Sequence, residues 1–374
     1  MYLEPDHLYE LDNVSEHAVY NRSDQNRLHL LIDLLPMTRG GVRVYENHQE
    51  FVASAPDYAA HAGVCLLCKA AEPGQPHGHF IVYDLATEDI VDTTALGKPI
   101  EGSNPRGGGR GFRGAVQHRE TGKVFISEYS QITVRSAGLK DECDAISHPA
   151  LSHIHAIAIE GNHLWAASTA NDTVFCFSVE TGGFVGAWEL SLSTDGAPTA
   201  AWTTDPSRSV VQPGQSIFHL NAVTCHNGDL FLGGLRTSGV FVLSGTGDLR
   251  HLPGPAGSHD IAIVKEKLVV LDTVSRRILV FSLEGDLVSA TELPSSFYVP
   301  EGQAVERQVR QGIAERGFLR GLMPAGGSYV MFGFSPAGVA RFDIEEHTFG
   351  DFTPLSDDPH WMVGGLCQIF IDRP

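Results

Sequence analysis

The sequence predicts an all-β fold, a β-propeller, on three observations. A strand, turn and strand running from Ser152 to Thr169 (SHIHAIAIEGNHLWAAST) returns along the chain with only its polar head changed. The copies are GFRGAVQHRETGKVFISEY from Gly111, FHLNAVTCHNGDLFLGG from Phe218, GSHDIAIVKEKLVVLDT from Gly257 and GFLRGLMPAGGSYVMFGFS from Gly317. Each copy is followed by a further apolar strand, among them QITVRS, TVFCFSVETG and ILVFSLEGDL. The unit is about 40 to 50 residues long, and three or four short strands at that period make one propeller blade.

Taken in order, residues 1–29 carry little pattern and read as an N-terminal extension; residues 30–374 read as one propeller domain. From Leu30 come three strand candidates, LLIDLLP, GVRVYE and EFVAS. The segment GGLCQIFID, near the other end, has the form of a first strand. Pairing these N- and C-terminal strands would close the ring and leave no open sheet edge. His61 to Leu96 holds the least regular unit, with GVCLLCKAA and HFIVYDL as its strands. The Gly-rich loop KPIEGSNPRGGGR that follows has neither the helix nor the Lys-Ser/Thr pair of a phosphate-binding loop, so it reads as a lid or a plain connection.

The regular units after it are interrupted by an insertion from Ser193 to Gln215. With Trp202 among Thr, Asp and Pro, it is expected to fold over one face of the propeller. One capping helix is expected at 301–316, where Val305, Val309 and Ile313 recur at helical spacing in a run of helix formers. The blade count is six or seven. Seven is favoured, because His61 would open a blade of its own; six follows if residues 30–96 make only one unit.

Composition narrows the function. A formal charge of −19 works against nucleic acid and anionic membranes, which are bound through cationic surface. No segment reaches the 18 or more apolar residues of a membrane helix. The N-terminal MYLEPDHLYELDNVSEH is acidic and lacks the basic and apolar regions of a secretory signal, so a cytoplasmic location is expected. The six Cys are scattered through strand candidates, as buried thiols would be in a reducing compartment.

The repeats align on a small residue, with Asp in one copy: Gly114, Ala156, Ala222, Asp260, Gly321 and Gly365. Before each stands Arg113, His155, Asn221, His259, Arg320 or Gly364, and His61 is the matching position of the irregular unit. The first strand of every blade lines the central axis, so these side chains should converge there. Two residues earlier, on the same side of an alternating strand, lie His153 and His219.

Buried Arg and His without compensation cost several kcal/mol, so such a ring calls for an anion, a metal or internal carboxylates. His155, His219 and His259 are the candidate ligands of one divalent metal ion, with a coordination position left for water or substrate. Arg113, Arg320, Asn221, His153 and His61 are the candidate substrate contacts, the arginines holding a carboxylate, sulfate or phosphate. For catalysis the residues singled out are His155, His259, Arg113 and Arg320. Plainer roles exist for each: blade-start histidines can bond neighbouring carbonyls, and Arg113 or Arg320 can tie to Asp260. Cys65, Cys68, His77 and His79 are zinc-ligand types, yet a spacing of three on a strand puts the two thiols on opposite faces.

On HIHAIAIEGNHLW, FHLNAVTCHNGDLF and GFLRGLMPAGGSYVMFGFS, from about Gly111 onward, the chain resembles an uncharacterised bacterial family of single-domain β-propeller proteins. Those segments are similar to its His-x-His-Asp-Leu-Ala, His-Leu-Asn-Gly-Leu-Ala and Gly-Phe-x-Arg-Gly-Leu stretches, in the same order. The departures are Ala156 in place of Asp, and SHDIAIV without a preceding Met-Pro-His. The resemblance implies the propeller fold and attention to His153, His155, His219, Asn221 and Arg320; it implies no substrate.

Two functions follow as expectations. One is an enzyme with its site on the axis, a His-based lyase, isomerase or hydrolase acting on a small anionic metabolite by proton transfer or through a metal-bound water. The other is a non-catalytic module that binds a ligand or a protein partner on its loop face, with Trp202 and Trp361 as the exposed aromatics.

Overall fold

The computed structural model describes residues 8–11, 42–45, 61–68, 78–95, 112–136, 142–206, 216–298, 316–356 and 360–370. The chain divides into two compact units, Met1–Asp57 and Tyr58–Pro374. In the first, Leu8–Leu11 pairs antiparallel with Val42–Tyr45. In the second, the described strands form six antiparallel sheets, the blades of a propeller.

Blade one is Trp361–Ile369, His61–Cys68, Gly78–Asp84 and Ile90–Ala95, written from the axis outward. Blade two is Gly114–Gln117, Val124–Ser127, Gln131–Arg135 and Glu142–Ser147. Blade three has five strands: Ile154–Glu160, His163–Ser168, Thr173–Ser178, Phe184–Leu192 and Pro198–Thr203. Blade four is Leu220–His226, Asp229–Gly234, Gly239–Leu243 and Leu249–Pro253. Blade five is Ser258–Val264, Lys267–Asp272, Arg277–Ser282 and Leu287–Glu292; blade six is Leu322–Pro324, Tyr329–Phe334, Gly338–Asp343 and Thr348–Pro354. The six inner strands touch in chain order and return from blade six to blade one, so the ring is closed.

The burial pattern explains the order within a blade. Second strands such as VFIS, DLFLGG and KLVVLD are buried along almost their whole length, because both faces of the sheet pack on neighbouring blades. Outer strands such as IVDTTA and LVSATE alternate, since one face meets solvent. Among the described residues the six larger core clusters accordingly lie one at each interface between blades. Phe332, Phe334 and Phe342 fill the seam of blades five and six, and Phe175 and Phe177 that of blades two and three.

Six blades replace the favoured seven. The C-terminal strand does close the ring as the innermost strand of a blade, but its partner is His61–Cys68, with Ile369 opposite His61 and Trp361 opposite Cys68. The irregular unit is therefore the outer part of the closing blade. GVRVYE contributes Val42–Tyr45 to the first unit's ladder, while LLIDLLP and EFVAS lie outside the described residues.

The insertion also differs from expectation. Pro198–Thr203 is a fifth strand at the rim of blade three, and Trp202 pairs opposite Trp188. Gly186 makes this possible: a Cβ there would lie 2.1 Å from Cζ2 of Trp202. Of the helix expected at 301–316, residues 301–315 lie outside the described residues. Among the described residues no helix is long and apolar enough to cross a membrane.

Candidate functional site

Four of the aligned heads lie on their inner strands at a β-bulge that turns them out of the ladder, while Arg113 and Arg320 lie just before theirs. The register shifts between Ile154 and Ala156, Leu220 and Ala222, Ser258 and Ile261, and Val363 and Gly365. The residues skipped are His155, Asn221, His259 with Asp260, and Gly364. A bulged residue is unpaired in the ladder and its side chain is re-aimed, here at the start of a strand lining the axis. The backbone two residues earlier is left-handed in three blades, with φ of 55° at His153, 54° at His219 and 99° at Gly257. Strand alternation does not set the direction of His153 and His219; this turn and the bulge do.

Around the axis the side chains meet. His155 is the hub. Nη1 of Arg113, from blade two, lies 3.3 Å from its Nε2, and Nη2 of Arg320, from blade six, lies 3.0 Å from its Nδ1. The Nε2 of His153 lies 3.0 Å from the same Nε2 of His155, and the two rings stand edge to face with centroids 4.3 Å apart. The His219 ring stands edge on to both, 6.2 Å from His153 and 6.0 Å from His155. His259 bonds through Nδ1 to Oγ1 of Thr273 at 3.1 Å, and its ring packs on Phe318. Arg113, His153, His155, Asn221, His259 and Arg320 are all buried. His61 does not join them. It sits at the far end of its strand from Cys68 and pairs with Asp84 at 3.3 Å.

Electrostatics follow from this packing. Burial, then the charges of His153, Arg113, Arg320 and His219, hold His155 well below the ordinary histidine range. His259 is lowered by burial, then by Arg320, His219 and Arg113, against a raising hydrogen bond at Gly257. Both imidazoles are neutral at pH 7. Asp260 accepts the Gly321 amide at 2.7 Å. Burial pushes its carboxyl up to about 7 even though that bond and Arg320 favour the ion. Cys65 and Cys367 stay thiols, the first raised by burial, Cys367 and Asp260, the second pushed by burial up to about 12.

The contacts of His155 cannot all be hydrogen bonds at once. Guanidinium groups only donate, and a neutral imidazole has a single lone pair. The tautomer that satisfies most contacts takes the Arg320 proton on Nδ1 and gives its Nε2 proton to His153. Arg113 Nη1 then faces an N–H. An acceptor between these groups, such as a carboxylate or phosphate oxygen, removes the conflict. A cation does not, since two guanidinium groups point at the same place. Among the described residues no group of three or more His, Cys, Asp or Glu is placed to hold a metal ion.

Several supporting residues carried too little signal in the sequence to be singled out. Asp172 is buried and its carboxylate accepts the amides of Ile217, Phe218 and Leu220, which fixes the backbone around His219. Thr169 and Thr273 reach from one blade to the next, accepted by the carbonyls of Leu220 and Leu319. The Thr just past the second strands of blades three and five is the trace of these ties. Tyr129, whose carbonyl accepts the Ile154 amide, lays its ring 5.3 Å from His153, and among the described residues its buried hydroxyl has no hydrogen-bond partner. Nothing in the repeat marks it. Gly364 brings no side chain to the axis because a Cβ there would lie 2.4 Å from the Phe112 carbonyl.

No protein-family model matches the chain, and no curated protein matches it. Among solved structures it is similar to a protein of unknown function from Bacteroides caccae, at 13% identity and a TM-score of 0.51, over 83% of this chain and 98% of that one. A streptogramin B lyase structure aligns at 13% identity and a TM-score of 0.43, over 66% of this chain and 84% of that one. The computationally designed Ika8 protein aligns at 12% identity and the same score of 0.43, over 78% and 87%. The first likeness supports the fold; the others carry no argument.

Proposed function

We propose that the chain is an enzyme whose axial cluster takes the anionic group of a small metabolite and whose His155 moves a proton on it. One observation carries this reading: guanidinium groups from two blades, Arg113 and Arg320, both aim at a single buried neutral imidazole that can accept from only one of them. Without a ligand, the imidazole serves as acceptor for Arg320. An incoming carboxylate or phosphate is the better acceptor, being charged. Its arrival draws the arginines off and leaves the Nδ1 lone pair of His155 available as a base. The same arginines then stabilise the negative charge that builds up as a proton leaves the carbon beside a carboxylate, or as a bond is eliminated. Lyase or isomerase work suits this arrangement, and hydrolysis follows if the released base takes its proton from water.

The test is a screen of small carboxylates and phosphate esters for turnover, with His155→Gln and Arg320→Met beside the wild type. A turnover that falls about 100-fold or more in both variants supports the reading. Turnover unchanged in folded His155→Gln would overturn it.

One observation favours a binding module instead. Trp202 is 41% exposed and stands edge on to Trp188 at 5.2 Å, an aromatic surface on the rim of blade three. Trp361 is not part of it, since it belongs to blade one and packs on His79. Stable capture of a partner lost in Trp202→Ala, with no effect of axial variants, would favour this reading.

A further inference from the structure

Asn221 occupies the bulged ring position of blade four, between the heads of His155 and His259. It is only 1% exposed, and among the described residues neither its Oδ1 nor its Nδ2 has a hydrogen-bond partner. Leaving buried amide groups unbonded carries a desolvation penalty that a leucine of similar size would not. A carboxamide offers both an acceptor and donors, so what completes it must both give and take a hydrogen bond. A hydroxyl does so. An ammonium only gives, and it would enter a site already crowded with Arg113, Arg320 and the histidines.

We propose that the ligand is a small hydroxy acid: its anionic group on Arg113 and Arg320, its neutral hydroxyl on the Asn221 amide. This rests on the anion reading above and names the second pole of the same site. Amino acids, with a cation in place of the hydroxyl, are selected against. Simple acids without the hydroxyl bind but leave Asn221 unsatisfied.

The experiment is calorimetric titration of the full chain at fixed ionic strength with matched probes: malate against succinate, lactate against propionate, alanine, and sulfate. The expected result is a hydroxylated member bound about tenfold or more tightly than its partner, with alanine weakest. Asn221→Leu should level the pairs at the affinity of the unhydroxylated acid and keep the sulfate response. Pairs bound equally by the wild type, with succinate or sulfate still binding, would overturn the hydroxyl assignment and leave the anion reading standing. No binding of any anion to folded wild type would overturn both. A preference that persists in Asn221→Leu would also overturn the assignment; should that variant not fold, the wild-type pairs decide by themselves.

Discussion

Arg320 reaches across the propeller axis to His155: its Nη2 lies 3.0 Å from Nδ1 of a residue on the diametrically opposite blade. The contact joins the two sides of the ring through a donor that keeps its charge and a base that burial keeps neutral. Arg320→Met should therefore remove the site's response to anions. The measurement is the thermal midpoint with and without sulfate at matched ionic strength, which should rise in wild type and stay level in the variant. Arg320→Lys should not restore it, because an ammonium cannot reproduce the planar donor fork.

Protonation of His155 should be hard. Its folded pKa is depressed below the unfolded value of about 6.5, as is that of His259, so below pH 6.5 the unfolded chain binds the protons that the folded one refuses. This contribution to stability is complete above pH 6.5 and is lost as pH falls beneath it. Side-chain nitrogen NMR should show both rings neutral at pH 6. The acid-side loss of stability should be smaller in His155→Phe.

Asp260 works in the other direction. With its carboxyl raised to about 7, the folded state keeps a proton that the unfolded state gives up from about pH 4. Its contribution therefore falls as pH rises through that window. Asp260→Asn keeps an acceptor for the Gly321 amide without the buried charge. It should be more stable than wild type at pH 8 and about equal at pH 5 in urea unfolding. Lower stability at pH 8 would contradict the assigned burial.

Asp172→Ala should cost at least about 2 kcal/mol, since the amides of Ile217, Phe218 and Leu220 lose their shared acceptor. Asp172→Asn, which keeps one carbonyl oxygen, should lose less. Because this carboxylate anchors the left-handed turn at His219, sulfate affinity should fall with stability in the alanine variant.

Metal content of the untagged protein, measured by plasma mass spectrometry, should be well below one ion per chain, and the same in a variant with His155 and His259 both replaced by Ala. Near-stoichiometric metal that disappears in the variant would replace the anion reading with a metal site.

The blades were legible in the sequence because their second strands are buried on both faces and spell continuous apolar runs, as KLVVLD and YVMFGF do. The ring was legible because the heads precede the same small residue of each repeat, so Arg113, His155, Asn221, His259 and Arg320 fall into one column. His61 was misread since its strand resembles a blade opening, while the true opening, Trp361–Ile369, lies at the other end of the chain and pairs with it. Its own register contains no sign of that partner. The turn at Lys265 and Glu266, both with positive φ, lacks the Gly or Asn that marks such hairpins elsewhere. Tyr129 and Asp172 come from loops, where no periodicity exists to align them.

The bulges also separate two kinds of change. His155 and Asn221 take no part in the ladders of their own strands, so exchanging either alters the axial surface and leaves the pairing of Ile154–Glu160 or Leu220–His226 intact. The propeller is in that sense a socket with replaceable pins. Related chains could diverge to new ligands by swapping a few axial residues, long before any strand had to change.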